Sequence, residues 1–276
     1  MNVEALPFTL LILLAELSVG SLILLVIWDA RSILTPAFVK LTAAILLAFA
    51  AAPFVLAVNI TPVDEVDGYP LDSGLMPEIR WALGVFLALH IPYVLATLRE
   101  SKLLSLATGG VASIAGLAAI VLLAQLVALP TWGTAATVIS LLVGTAVVGA
   151  VSLGMVLGHW YLVTPRLPDR PLTQMTFFAV IAIVLQGILM VANLLIPVRI
   201  DPAGSASDIA LSTNPVFWMR IGPGLLFSLV LVFMAWQASR IHAMQSATGL
   251  LYLAMGAVLG GEAVARGLMF VTAIPL

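Results

Sequence analysis

Cysteine is absent from the 276-residue chain and charge is scarce: Asp, Glu, Lys and Arg make up 9% of it, against about a quarter of a soluble domain. Without thiols the chain forms no disulfide. Nor can it supply a thiolate to an iron–sulfur cluster, a zinc ion or a thiolate-ligated haem, so any such centre belongs to a partner. Eleven basic and 13 acidic side chains, a net charge of -2, leave no basic patch and no polybasic arm. Nucleic-acid binding is thereby excluded. There is no phosphate-binding loop, no HExxH, and no Ser/His/Asp set arranged for hydrolysis. The amino-terminal stretch lacks the basic region and small-residue cleavage site of a removable signal peptide, and its apolar run continues to Trp28. It reads as a first membrane span.

What is present is hydrophobic: 62% of the residues. Uncharged apolar stretches recur from end to end, each near the ~20 residues that a helix rising ~1.5 Å per residue needs to cross ~30 Å of hydrocarbon. Breaks at charged, Pro or Gly residues predict eight spans, at 7–29, 36–59, 80–98, 104–128, 134–163, 175–197, 216–239 and 247–274. The expected fold is an all-α integral membrane bundle of about eight helices, one polytopic domain over 1–276. Ser18-Val19-Gly20 in the first span and Ser152-Leu153-Gly154 in the fifth are faintly similar, as two four-helix halves would produce. Gly109-Gly110, Gly154 with Gly158, and Gly256 with Gly260-Gly261 are expected to let helices approach closely.

The connections alternate in charge. One face collects Arg31, Lys40, Arg99, Lys102, Arg166, Arg170 and Arg240; the other carries mainly acids, Asp64, Glu65, Asp67, Asp72, Glu78, Asp201 and Asp208. Since Lys and Arg in short loops stay on the cytoplasmic side, the basic face is expected inside. Both termini and the longest loops, about 60–79 and 198–215, then lie outside, where a soluble partner has most to grip.

Ionisable groups at membrane depth cost at least a few kcal/mol each, so they mark a site or a buried pair. Those within spans are Glu16, His90, His159, Arg220, Glu262 and Arg266. Glu262 and Arg266 are four apart and share a helix face. The plain reading is a neutralised pair that holds helices together. Depth adds a second reading, because Arg266, Arg220 and Glu16 lie at similar levels in the outer half. Two guanidinium groups and two carboxylates meeting there would offer donors to carbonyl oxygens and a route for protons, as a quinone head group requires. His90, mid-span, can donate to a carbonyl, pass protons or ligate iron, or simply hydrogen-bond a neighbouring helix. His159, beside Trp160 and Tyr161, has the setting of an interfacial belt. Haem b held by both histidines is disfavoured by their depths, ~15 Å and ~30 Å from the outer ends of their spans, although a Met ligand stays open. Asn193, Gln125, Gln186 and Gln237 are polar groups within spans; the first two could line a cavity, but interhelical hydrogen bonding is the commoner use, and none is given a further role. Gly222-Pro223-Gly224 should loosen the seventh span near Arg220.

Gly260-Gly261-Glu262, three residues, then Arg266-Gly267 with Phe270 beyond, resembles the closing helix of the dimethyl-sulfoxide reductase and polysulfide reductase membrane anchors. Leu6-Pro7 leading into Leu14-Ala15-Glu16-Leu17-Ser18-Val19-Gly20-Ser21 looks like that family's opening helix, and Phe217-Trp218-Met219-Arg220 like the head of its seventh. The family's His-Leu-Gly-x-Pro segment after the second span has no counterpart; His90 lies in the third span instead. The resemblance implies an inner membrane of a prokaryote and a non-catalytic anchor that exchanges electrons between a quinone, menaquinone or ubiquinone, and an iron–sulfur subunit. That subunit would in turn serve a molybdopterin catalytic subunit, more naturally on the outer face. No metal is expected on this chain. The residues it points to for quinone binding or proton exchange are Glu262, Arg266 and Arg220, to which the charge reading adds Glu16 and His90. A proton-coupled transporter and an accessory subunit of a respiratory or photosynthetic complex are the alternatives.

Overall fold

The computed structural model describes residues 4–66, 68–128, 133–164, 167–195, 213–272 and 274–275. Eight helices in it are long and apolar enough to cross a membrane: Leu6–Ala30, Pro36–Asn59, Ser73–Leu98, Lys102–Val127, Thr134–Val163, Arg170–Leu195, Pro215–Arg240 and Met244–Thr272. The chain is therefore an all-α multi-pass bundle. The second and fifth helices begin and end where expected. The third and sixth begin several residues earlier than the apolar runs suggest, because Pro77 and Pro171 sit in their first turns, where proline's missing N–H leaves no helical bond unmade.

The helices form two rings of four. The first packs on the second, the second on the third, the third on the fourth and the fourth on the first; the fifth to eighth close a second ring in the same way. The rings share a long contact between the first and fifth helices. At its centre the backbones touch: a Cβ on Gly20 would lie 2.0 Å from the Thr145 carbonyl oxygen, and one on Gly149 2.3 Å from the Gly20 backbone. Lipid tails are as apolar as the helices, so such close contact replaces the hydrophobic drive that water would supply. The partner of Gly20 is thus Gly149, whereas Gly154, its counterpart in the faint repeat, faces Met175 and Leu251. Gly109 and Gly158 also pack tightly, against Tyr93 and Val26 and against Thr248. A methyl on Gly110, Gly256 or Gly260 would meet nothing within 4 Å, so these three are not packing residues.

The two ends of the bundle differ. At one end lie Arg31, Lys40, Arg99, Lys102, Arg170 and Arg240, all at helix termini or connections; Arg31 and Arg240 stack over Trp28 and Trp236. At the other, Glu65–Val66 and Tyr69–Pro70 pair as a short antiparallel hairpin. Tyr69 donates to the Val127 carbonyl and sets its ring edge-on to Phe270, 5.4 Å between centroids, which ties the hairpin to the ends of the fourth and eighth helices. Burial pushes the Tyr69 hydroxyl well above the ordinary tyrosine range. Arg80, a cation at this end, caps the second helix by donating to the carbonyls of Ala57 (2.9 Å) and Ile60 (2.8 Å). Arg166, Asp67, Asp201 and Asp208 lie outside the described residues.

Candidate functional site

Four of the five residues singled out by charge meet at one point, where the second ring packs against the first helix. Glu16 comes from the first helix, Arg220 from the seventh, and Glu262 and Arg266 from the eighth; none is more than 1% exposed. Arg266 Nη2 donates to Glu16 Oε1 at 2.6 Å and to Glu262 Oε2 at 3.0 Å. Arg266 Nε lies 3.4 Å from Glu16 Oε2. Arg220 Nη1 donates to Glu262 Oε1 at 2.9 Å, and Gln186 Nε2 to the same oxygen at 2.6 Å. Two carboxylates and two guanidinium groups therefore alternate in a chain whose formal charges cancel. Burial of this kind is tolerated only when each charge is paired and hydrogen-bonded.

Local sequence explains the convergence. The i,i+4 spacing places Glu262 and Arg266 on one face of the eighth helix. A glycine on each side lets the seventh and eighth helices touch: a Cβ on Gly261 would lie 2.5 Å from Gly224 Cα. Gly224 falls one turn after Arg220, so this contact sets Arg220 beside Glu262. Gly222-Pro223-Gly224 does loosen the helix as expected, and the stretch Arg220–Phe227 is π-helical; proline and π turns are the usual causes of such irregularity, and π turns are frequent at functional sites.

Two participants escaped the sequence reading. Gln186, read from sequence as an interhelical amide without a further role, completes the bonding of Glu262. Gly144 of the fifth helix provides the space, for a Cβ there would lie 2.3 Å from Arg266 Nη2 and 2.7 Å from Glu16 Oε1. An in-span amide was a visible signal for Gln186; a lone glycine in a Gly-rich helix was none for Gly144.

His90 stands apart. It is buried in the first ring, its Nε2 3.3 Å from the Ala43 carbonyl oxygen, with its ring edge-on to Phe86 and Tyr93. No hydrogen bond or ion pair joins it to the four charged residues among the described ones. His159 is exposed near the basic end, where Tyr252 Oη lies 3.0 Å from its Nδ1. Among the described residues no three His, Cys, Asp or Glu side chains gather as metal ligands.

A cleft of about 450 Å³ runs between the sixth and seventh helices. Ile183, Gly187, Met190, Ile221, Leu225 and Leu229 are among its walls, which carry no ionisable group. Gly187 adjoins Gln186 and Ile221 adjoins Arg220 in the chain, so the cleft lies on the same two helices and at the same level as part of the cluster, although none of the charged residues lines it. Ile188 and Leu226, also in its lining, are exposed on the bundle's periphery at 60% and 58%, the surface that faces lipid. No protein-family model and no curated protein matches the chain.

Proposed function

We propose that the chain is a quinone-interacting membrane anchor of a multisubunit redox complex, with its exchange site at Glu16, Arg220, Glu262 and Arg266. The observation that carries the reading is the buried cluster together with an apolar, lipid-facing cleft on the sixth and seventh helices, which supply Gln186 and Arg220 to it. A quinone needs just this pairing of environments: polar donors for its head and an apolar path for its isoprenoid tail. The residues fit the head group. Arg266 Nη1 is buried and has no hydrogen-bond partner among the described residues, so a donor is in place for a carbonyl oxygen. Bound quinol would supply two electrons and two protons. Glu16 and Glu262, each already held by a guanidinium group, are the acceptors at hand for the protons. Arg220 and Arg266 offset the carboxylate charge in the interim. The seventh helix, loosened over Arg220–Phe227, is the wall that can give way as the head group enters.

The basic end is assigned to the cytoplasm by the distribution of Lys and Arg. The hairpin end then faces outward and receives an iron–sulfur subunit, with a molybdopterin subunit beyond it. The resemblance of the first, seventh and eighth helices to the dimethyl-sulfoxide reductase type of anchor supports the same assignment. His90, outside the cluster, has no place in this site.

One observation favours a second reading. All four charges are paired within the chain, which suits an accessory subunit whose cluster only fastens helices. Gentle purification of the tagged chain, followed by identification of co-purifying subunits and extraction of bound quinone, separates the two. An iron–sulfur protein together with quinone is expected, with Glu262→Gln losing quinone while the complex still assembles. Recovery of the chain alone without quinone overturns the proposal and favours transport; an assembled complex whose electron transfer survives Glu262→Gln favours the accessory role.

A further inference from the structure

The first ring contains buried polar atoms that the charged cluster does not use. His90 Nδ1, Tyr93 Oη and Thr42 Oγ1 are all buried, and none has a hydrogen-bond partner among the described residues. Such atoms are costly to bury dry, and most of those found in folded chains are met by water or a ligand. The rings of His90 and Tyr93 lie 5.7 Å apart, and Thr42 precedes Ala43, whose carbonyl faces His90 Nε2.

An opening lies one helical turn from them. At the basic end, a cavity of about 350 Å³ sits among the first four helices and is lined by Asp29, Val39, Thr97, Glu100, Lys102 and Ser105, among others. Thr97 and Val39 are four residues from Tyr93 and Ala43, one helical turn along the third and second helices. The charged groups around the mouth are paired: Lys102 Nζ with Asp29 Oδ1 at 2.5 Å and Lys40 Nζ with Glu100 Oε1 at 2.6 Å.

We infer that His90 is a buried proton-exchange site reached by water from the basic end, through the cavity at Asp29 and Lys102 and past Thr97, Tyr93 and Thr42. With Nε2–H donating to the Ala43 carbonyl, Nδ1 presents its lone pair. It takes a proton from hydronium, which becomes water, to give the imidazolium and returns it by the same route; no electron moves and no covalent bond other than N–H and O–H is made or broken. The path enters from the end opposite the hairpin, stops at His90, and is independent of what binds at the charged cluster.

Because the chain has no cysteine of its own, single introduced thiols report single positions. In membrane vesicles of each orientation, a small charged methanethiosulfonate reagent that does not cross the bilayer is applied to the full chain carrying Thr97→Cys, Thr42→Cys or Ala50→Cys. The second of these is nearly isosteric; the third lies two turns deeper on the second helix and is buried. Thr97→Cys and Thr42→Cys are expected to react from the basic end only, at least tenfold faster than Ala50→Cys. Reaction at Thr42→Cys no faster than at Ala50→Cys means that the cavity is blind and overturns the proposal. The unsubstituted protein gives an independent measurement by solid-state NMR of 15N-histidine in deuterated buffer, since there are only three histidines. His90 ring protons are expected to exchange within hours; retention for days while exposed His159 and His242 exchange contradicts a water path, whatever the substitutions show.

Discussion

The two rings of the bundle bury polar groups in opposite ways. Where the second meets the first helix, four full charges from three helices are joined into a neutral chain by contacts of 2.6–3.0 Å, with Arg266 Nη1 left over among the described residues. In the first ring, neutral groups such as His90 and Tyr93 are left with atoms that have no partner among the described residues. Charge must be compensated at once in a medium without water, so the charged ring is built to exacting geometry, with Gly144 and the Gly224–Gly261 contact as the means. Neutral polar groups cost less when left open. The first ring can therefore keep a polar interior with far fewer geometric demands.

This contrast is broken most severely by Arg266→Met. It leaves Glu16 and Glu262 facing each other with one guanidinium group between two carboxylates, and the expected loss is ~3–5 kcal/mol, the usual cost of orphaning a buried charge. Unfolding of the detergent-solubilised chain measures it. Adding Glu16→Gln leaves Glu262 with Arg220 as a neutral pair, so the double variant should be more stable than Arg266→Met alone; a loss equal to the sum of the two single changes would show that Glu16 and Arg266 are not coupled.

Gln186→Leu follows, since it removes a donor to a buried carboxylate; hydrogen bonds to charged groups are worth ~1.5–3 kcal/mol. Gly20→Ala sets a methyl against the Thr145 carbonyl at the junction of the rings, and overpacking of that kind costs ~1–3 kcal/mol. It should lower the unfolding midpoint without altering the ion pairs, as seen in unchanged coupling between Glu16 and Arg266. His90→Phe is expected to cost under ~1.5 kcal/mol, because its single 3.3 Å contact to Ala43 is long and the ring volume is nearly kept; a larger loss would mean that the first ring depends on His90 as the second depends on Arg266.

The smallest effect belongs to the surface. The Lys40 ammonium, hydrogen-bonded to the Glu100 carboxyl, holds it below the usual carboxylate range. Its stabilisation is present above the unfolded-state pKa and is lost as pH falls through the lowered folded-state value. Glu100 is fully exposed, and water screens the pair, so Glu100→Gln should leave the pH profile of unfolding unchanged within error.

Much of this is legible from residue order. Membrane thickness turns apolar runs into spans, and counting from span ends puts Glu16, Arg220 and Arg266 at one level without any knowledge of contacts. The i,i+4 spacing of Glu262 and Arg266 does the rest. Helix rotation about its own axis is not readable in that way, because these helices are apolar nearly all round. For that reason the sequence gives Gln186 no part in the cluster and groups His90 with residues that it does not contact. Helix starts at Ser73 and Arg170 escape for a different reason: charged and proline-containing first turns look like loops when apolar run length is the only guide.

The central claim is that the charged cluster and its neighbouring cleft form one quinone site. A quinone analogue carrying a photoreactive group in its first isoprenoid unit, irradiated with the membrane-embedded protein and mapped by mass spectrometry, tests it most directly. Attachment to the sixth and seventh helices around Met190, Leu225 and Leu229, displaced by excess unmodified quinone, is the expected result. Attachment elsewhere on the bundle, or none that quinone displaces, would contradict the account.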